Sequence, residues 1–359
     1  MKFGVVGRTT DGFFRYQAWP SVAKDDKGVI YAASSGHRLG HVCPFGKNYL
    51  YISRDDGESW EGPIVANDTY MDDRDAGLCA WGDGNLVLTW FSLQKEKFDN
   101  REDRTPVLQE PLSMAVRELW KVLPEGQYDP GAFAKVSNDG GKTWSEKIRV
   151  PVTAPHGPIR KADGSLLFFG KAYLMENTEY MNRHIYALES KDGGKTWHPL
   201  GKVDLPEGAT EMDVHEPHVA ELPDGTLLGA IRVHRTNIGK KATTFLTASA
   251  DGGKTWSAPE ELVGSGYPPH LLVHSSGALV MTYGVRQGVM GEYAIISYDN
   301  GKTWSEPMMI SEESPDWDLG YPSSVELSNG SILTVYYQKY PGDTYNSILY
   351  TKWDLPEKK

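Results

Sequence analysis

The sequence predicts an all-β chain folded as a six-bladed β-propeller. Two internal repeats and the composition carry that prediction. The first repeat is Ser53-Arg54-Asp55-Asp56-Gly57-Glu58-Ser59-Trp60, which recurs as Ser137 to Trp144, Ser190 to Trp197, Ser249 to Trp256 and Ser297 to Trp304. Its pattern is S-x-D-x-G-x-[ST]-W. The second repeat is an apolar strand, a glycine turn and another apolar strand. It is seen in Val219 to Leu228 around Gly225 and in Val325 to Leu333 around Gly330, with further turns at Gly28, Gly84, Gly164 and Gly277. The 38 glycines, 11 tryptophans and 19 tyrosines suit short strands joined by tight turns.

Each eight-residue box is expected to close a hairpin. Alternating apolar residues precede it, as in Tyr49-Leu50-Tyr51-Ile52 and Tyr293-Ala294-Ile295-Ile296, and alternation is the signature of a half-buried strand. The aspartate accepts backbone N–H bonds in the turn, and the glycine supplies positive φ. The box aspartates are therefore structural. Six units, five of them ending in a box, match six blades. The last unit ends in Ile348-Leu349-Tyr350-Thr351-Lys352-Trp353 without a box. The N-terminal Lys2-Phe3-Gly4-Val5-Val6 is expected to complete that blade and close the ring, which removes exposed edges. One domain spans residues 1–359, with an insertion at 95–130 in the second blade. Ser113 to Leu123 within the insertion predicts an amphipathic helix on the rim, placed as a lid.

The formal net charge of −11 argues against a nucleic-acid partner, which needs a basic face. It leaves room for an acidic small ligand held by local arginines. No apolar run approaches the roughly 20 residues of a membrane helix. Cys43 and Cys79 are expected to be free thiols. The first residues turn polar too quickly for a signal peptide, so the chain as written is expected in the cytoplasm, or outside the cell if a signal was removed.

The five boxes resemble the Asp-box (BNR) repeats of the sialidase superfamily. That resemblance implies three arginines gripping a substrate carboxylate, a Tyr–Glu nucleophilic pair and an aspartate acid/base. Glu216, in His215-Glu216-Pro217-His218, and Arg232 resemble the family's glutamate and second arginine. Arg286, in Tyr283-Gly284-Val285-Arg286, resembles the third arginine, and Tyr321, in Gly320-Tyr321-Pro322, the nucleophile. A tyrosine beside an ionised glutamate can pass its proton on and attack an anomeric carbon.

Two stretches depart from the pattern. The Arg-x-Pro motif of the first unit is replaced by Arg15-Tyr16-Gln17-Ala18-Trp19-Pro20. Either Arg15 serves, or Ala18 stands in the arginine's place and Arg38 substitutes in part. The loop from Ser34 to Asn48, where the acid/base aspartate belongs, holds no carboxylate. His41 or His37 is then the candidate proton donor, or Asp75 or Asp73 reaching in beside Arg74. Trp19 and Trp317 are candidates to stack on a sugar face.

A histidine pattern competes. His156, His215, His218 and His270 lie at unit entries, which a propeller gathers around one axis. They are candidates for sugar contacts, or for a divalent metal together with Glu216 or Asp75. The leading expectation is an exo-acting glycoside hydrolase that needs no cofactor and removes a terminal sialic acid or other acidic sugar by a retaining Tyr/Glu mechanism. The alternatives are a histidine- or metal-dependent lyase or hydrolase on a glycan, and a non-catalytic glycan-binding propeller.

Overall fold

The computed structural model describes residues 1–94, 110–173, 183–235, 240–262 and 264–356. Six small antiparallel sheets form a ring. Blade 1 runs Tyr16–Lys24, Ile30–Arg38, Lys47–Ser53 and Glu61–Asn67; blade 2 runs Asp72–Ala80, Leu86–Leu93, Gly131–Ser137 and Ile148–Val150. Blade 3 splits its inner strand into Val152–Thr153 and Ile159–Arg160 before Leu166–Ala172, Ile185–Ser190 and His198–Lys202. Blade 4 is Val214–Glu221, Leu227–Arg235, Lys240–Ser249 and Glu260–Leu262, and blade 5 is Pro269–Val273, Leu279–Val285, Gly291–Ser297 and Met308–Met309. Blade 6 is Gly320–Glu326, Ile332–Lys339 and Asn346–Trp353, completed by the N-terminal strand Lys2–Gly7. That strand pairs antiparallel with Asn346–Trp353, as the missing sixth box predicted.

The boxes are turn clamps. In the fourth, Asp251 accepts hydrogen bonds from Thr255 N at 2.9 Å and from the Ser249 hydroxyl at 2.8 Å. Trp256 stands just ahead of the outer strand and folds back, its indole N–H donating to the Gly253 carbonyl at 3.1 Å. The same Ser–Asp–Thr bonding recurs around Asp139, Asp192 and Asp299.

The core is a set of wedges between adjacent blades. Leu50, Ile52, Leu78, Leu88 and Trp90 fill the wedge of blades 1 and 2, and Val219, Ile231, Phe169 and Leu227 that of blades 3 and 4. Each buried aliphatic or aromatic side chain contributes about 1.5–3 kcal/mol. Around the axis the inner strands also bond across blades: Ser21 Oγ receives Leu78 N–H at 3.2 Å, and Ser323 Oγ receives Val22 N–H at 3.1 Å. Neighbouring blades are thereby fixed in height, so residues at the same level of each inner strand meet at one mouth.

The predicted rim helix is present as Glu110–Val122. Val116 and Trp120 pack on Val42 and Phe45, and Trp120 donates to the Tyr70 carbonyl at 2.8 Å. The helix thus braces the loop that carries His41. Residues 95–109 of the predicted insertion lie outside the described residues. Cys43 and Cys79 are buried free thiols.

Candidate active site

Four inner strands break register at the same level. The pairing skips between Ala18 and Ser21, Arg74 and Gly77, His215 and His218, and Gly320 and Ser323. The skipped residues begin with Trp19, Asp75, Glu216 and Tyr321, whose φ angles are 51°, 53°, 44° and 55°. These are β-bulges with a left-handed non-glycine residue, a conformation that costs about 1–3 kcal/mol each. Pro20, Pro217 and Pro322 follow three of them. A proline lacks the N–H that the interrupted ladder no longer accepts, so it fits a bulge. The bulge breaks the strand's two-residue alternation and so re-aims the side chain at that point.

Glu216 and Tyr321 come together by this device. The Tyr321 hydroxyl donates to Glu216 Oε1 at 2.5 Å, and Arg232 Nη1 lies 2.5 Å from the other carboxylate oxygen. Burial pushes the Glu216 carboxyl up, but the Arg232 guanidinium and the Tyr321 hydroxyl more than offset it, leaving it near 2. Burial and the facing Glu216 and Asp75 carboxyls raise the Tyr321 phenol well above its ordinary value. At neutral pH the pair is carboxylate and phenol, joined by one short hydrogen bond.

Arg232 also lies over the Tyr267 ring at 4.4 Å, with its Nε 2.8 Å from His234 Nε2. Arg286 faces the Tyr267 and Tyr321 rings at 5.5 and 5.8 Å and reaches the Tyr337 hydroxyl at 3.5 Å. Among the described residues no carboxylate pairs with Arg286. The nearby Glu292 is fully buried, both its oxygens lack partners, and burial lifts it to about 8, so it is protonated at neutral pH. Arg286 thus makes no salt bridge among the described residues, although the Glu216 carboxylate acts on it from the same cluster.

The wall from blades 1 and 2 corrects several expectations. Trp19 is 0% exposed, and the Arg74 and Arg38 guanidiniums lie over its ring at 4.1 and 4.8 Å, so it offers no face to a sugar. Arg38 is likewise fully buried, locked to Asp72 at 2.6 Å, and cannot substitute for a missing arginine in substrate contact. Arg15 turns away: its partners are the Thr10 carbonyl and the Tyr345 ring, and it joins neither Arg232 nor Arg286. Ala18 is buried on the bulged strand. Arg74 stays at this wall, donating to the His41 carbonyl at 3.0 Å. Asp75 is buried with Oδ1 unpartnered, and burial lifts its carboxyl to about 7. Asp73 is structural, accepting from Ser92, Thr69 and Asn67.

A carboxylate from a distant part of the chain meets the first-blade loop. Asp318, on the loop entering blade 6, lies 3.0 Å from His41 Nδ1 and accepts from the hydroxyls of Tyr16 at 2.9 Å and Tyr337 at 3.0 Å. Sequence reasoning missed Asp318, Tyr16, Tyr337, Tyr267 and Glu292. Asp318 had one available signal, its place three residues before Tyr321. The tyrosines had none among so many. His37 is not part of the group; it stacks on Phe14 at 4.2 Å. Trp317, 58% exposed, stands 6.3 Å from His41 at the rim.

The histidines divide. His156, His218 and His270 pack ring on ring at 4.3–5.5 Å. All three are buried along the axial channel, beside a cavity of about 290 Å³ that Val22, Leu78 and Ser324 also line. Lys24, Arg160 and Glu221 line the same cavity, so the three rings sit further along the inner strands than Glu216 and Tyr321. Burial holds His156 near 3 and the other two well below their ordinary value. His215 instead meets His234 edge to face at 5.2 Å, beside Arg232. Among the described residues no group of three His, Cys, Asp or Glu side chains has the arrangement to hold a metal ion.

The description "BNR repeat-like domain" matches residues 66–335. The chain belongs to that family. It is 27% identical over 222 residues to a protein named sialidase from Bacteroides fragilis (strain YCH46), which covers 55% of this chain and 38% of that relative. The chain thus spans well under half of that relative's length. Among solved structures, a protein of unknown function from Dyadobacter fermentans DSM 18053 superimposes with a TM-score of 0.77 at 22% identity, over 99% of this chain and 98% of the other. The Hadza microbial sialidase Hz136 superimposes with a TM-score of 0.67 at 18% identity, over 98% of this chain and 68% of the other. The two solved structures agree on the propeller fold.

Proposed function

We propose that this propeller is a retaining exo-glycosidase for a terminal sugar bearing a carboxylate, sialic acid foremost. The observation that carries the reading is the Tyr321–Glu216 hydrogen bond of 2.5 Å set beside Arg286, a guanidinium with no salt bridge among the described residues. Glu216 takes the phenolic proton as Tyr321 Oη attacks the anomeric carbon. A neutral tyrosine meets an anionic sugar without the repulsion that a carboxylate nucleophile would feel across the same few ångströms. Arg286 and Arg232 hold the sugar carboxylate, a pairing for which the forked guanidinium is suited. The relatives named sialidase support the choice of sugar.

The test is a panel of aryl glycosides, including N-acetylneuraminic acid and uronic acids, against the parent and Tyr321→Phe. The parent is expected to turn over at least one acidic glycoside. Tyr321→Phe is expected to lower kcat by about 10³-fold or more, with binding and thermal stability near those of the parent. Full activity in Tyr321→Phe overturns the Tyr–Glu mechanism. Binding without turnover by the parent on every glycoside favours a glycan-binding propeller.

A further inference from the structure

The Glu216–Tyr321 pair breaks the glycosidic bond only if another group handles the leaving-group proton, and the first-blade loop offers no carboxylate for it. We infer that His41 is the general acid and base of this site and that Asp318, from the opposite end of the chain, is its positioning residue. The inference rests on the Tyr–Glu reading and completes it.

Three observations converge on His41. Its Nδ1 lies 3.0 Å from Asp318 Oδ1, so the carboxylate holds the tautomer with the proton on Nδ1 and stabilises the imidazolium. Tyr16 and Tyr337 donate to the same carboxylate at 2.9 and 3.0 Å, which fixes its orientation. Among the described residues no hydrogen bond occupies His41 Nε2, and the side chain is 37% exposed. The ring also meets Trp19 edge to face at 5.0 Å, and Trp19 meets Tyr321 at 6.5 Å, so acid and nucleophile are neighbours across one indole.

Exposure separates His41 from Asp75, the other candidate. An exo-acting pocket buries the sugar and leaves the departing group outside, so the proton donor belongs at the rim. His41 is at the rim beside the exposed Trp317, whereas Asp75 is buried on the inner strand against Glu216 and Tyr321. Burial lowers the His41 imidazole below its ordinary value, Arg74 and Arg286 add to this, and Asp318 opposes it.

The steps balance. In the first, the C–O bond to the leaving group breaks with its electron pair on oxygen, which takes the proton from His41 Nε2. Tyr321 Oη bonds the anomeric carbon and its proton passes to Glu216. In the second, water bonds that carbon and gives a proton to His41. The Tyr321–carbon bond breaks, and Tyr321 recovers its proton from Glu216.

The dependence on the leaving group tests this. Parent, His41→Asn and Asp318→Asn are compared on methyl and 4-nitrophenyl glycosides of N-acetylneuraminic acid. Methoxide needs a proton to depart and 4-nitrophenolate does not. Both variants are expected to lose about 10²-fold or more in kcat/KM on the methyl glycoside and under about tenfold on the 4-nitrophenyl one. Azide is expected to raise kcat of both variants on the activated substrate, by replacing water in the second step, and to leave kcat/KM unchanged. Equal losses on both substrates, or none, overturn the inference. An inactive parent would instead sink the Tyr–Glu reading. A second measurement needs no turnover: nitrogen-15 spectra of the neutral His41 ring are expected to show the Nδ1–H tautomer in the parent and a lower pKa in Asp318→Asn. A parent ring protonated on Nε2, or a pKa unmoved by Asp318→Asn, rules out the dyad.

Discussion

At the scale of single residues, the mouth is built from charges whose values their neighbours set. Glu216 stays ionised because Arg232 and Tyr321 outweigh its burial, while Glu292 and Asp75 are lifted to about 8 and about 7 because burial prevails. Arg38 and Asp72 are the structural counterpart: a fully buried ion pair at 2.6 Å that also anchors the His41 loop, through Arg38 Nη2 to the His41 carbonyl at 3.1 Å. Removing one member of such a pair strands the other charge. Asp72→Asn is therefore expected to lower stability by about 3–5 kcal/mol, read as a fall in the urea midpoint with unchanged slope. A change below about 1 kcal/mol would show that water reaches Arg38.

At the scale of elements, the bulge and the helix matter most. The bulge is a shared local solution, used in blades 1, 2, 4 and 6 to project Trp19, Asp75, Glu216 and Tyr321 from strands whose other side chains face a wedge or the channel. Its proline signature was visible in Trp19-Pro20, Glu216-Pro217 and Tyr321-Pro322. The direction it gives each side chain was not, because that depends on the pairing partner. The helix Glu110–Val122 acts through Trp120 and Val116 on Val42, next to His41. Trp120→Ala is expected to loosen the 39–46 loop. Amide hydrogen exchange there should quicken while the blades stay protected, and kcat/KM should fall several-fold. Unchanged exchange in that loop would disprove the bracing role.

For the whole molecule, ring closure brings three buried histidines into one channel, and this has a pH consequence. His156 lies near 3 in the fold against about 6.5 in an unfolded chain, and His218 and His270 are also depressed. The unfolded chain binds more protons below 6.5, so this stability is complete above that pH and is lost as pH falls toward 3. Each histidine contributes on the order of 1.4 kcal/mol per pH unit in that window. Asp73, Asp75 and Glu292, raised by burial, act in the opposite sense: their stability is complete below about 4 and is lost as pH rises through 7 to 8. The parent's slope is the difference between the two sets. His156→Leu is expected to remove one histidine's share, reducing the loss between pH 6.5 and pH 5 by about 2 kcal/mol in urea titrations. An identical pH slope in parent and variant would contradict the neutral, buried state of His156.

The division between chain and fold follows from these scales. The number of blades, the turn clamps, the closing strand and the candidacy of Glu216, Arg232, Arg286 and Tyr321, which the fold gathers in one cluster, were legible because each is written locally, in a period, a turn motif or a flanking context. What the tertiary structure decided was which of the remaining polar residues reach the mouth. Trp19 and Arg38 sit in the right strands and are sealed, Arg15 packs on Tyr345 instead, and His156, His218 and His270 sink into the channel. His41 gains its carboxylate from Asp318, 277 positions away. Burial and partnership across the ring axis are properties of packing between blades, and no stretch of one blade encodes how its neighbour will cover it.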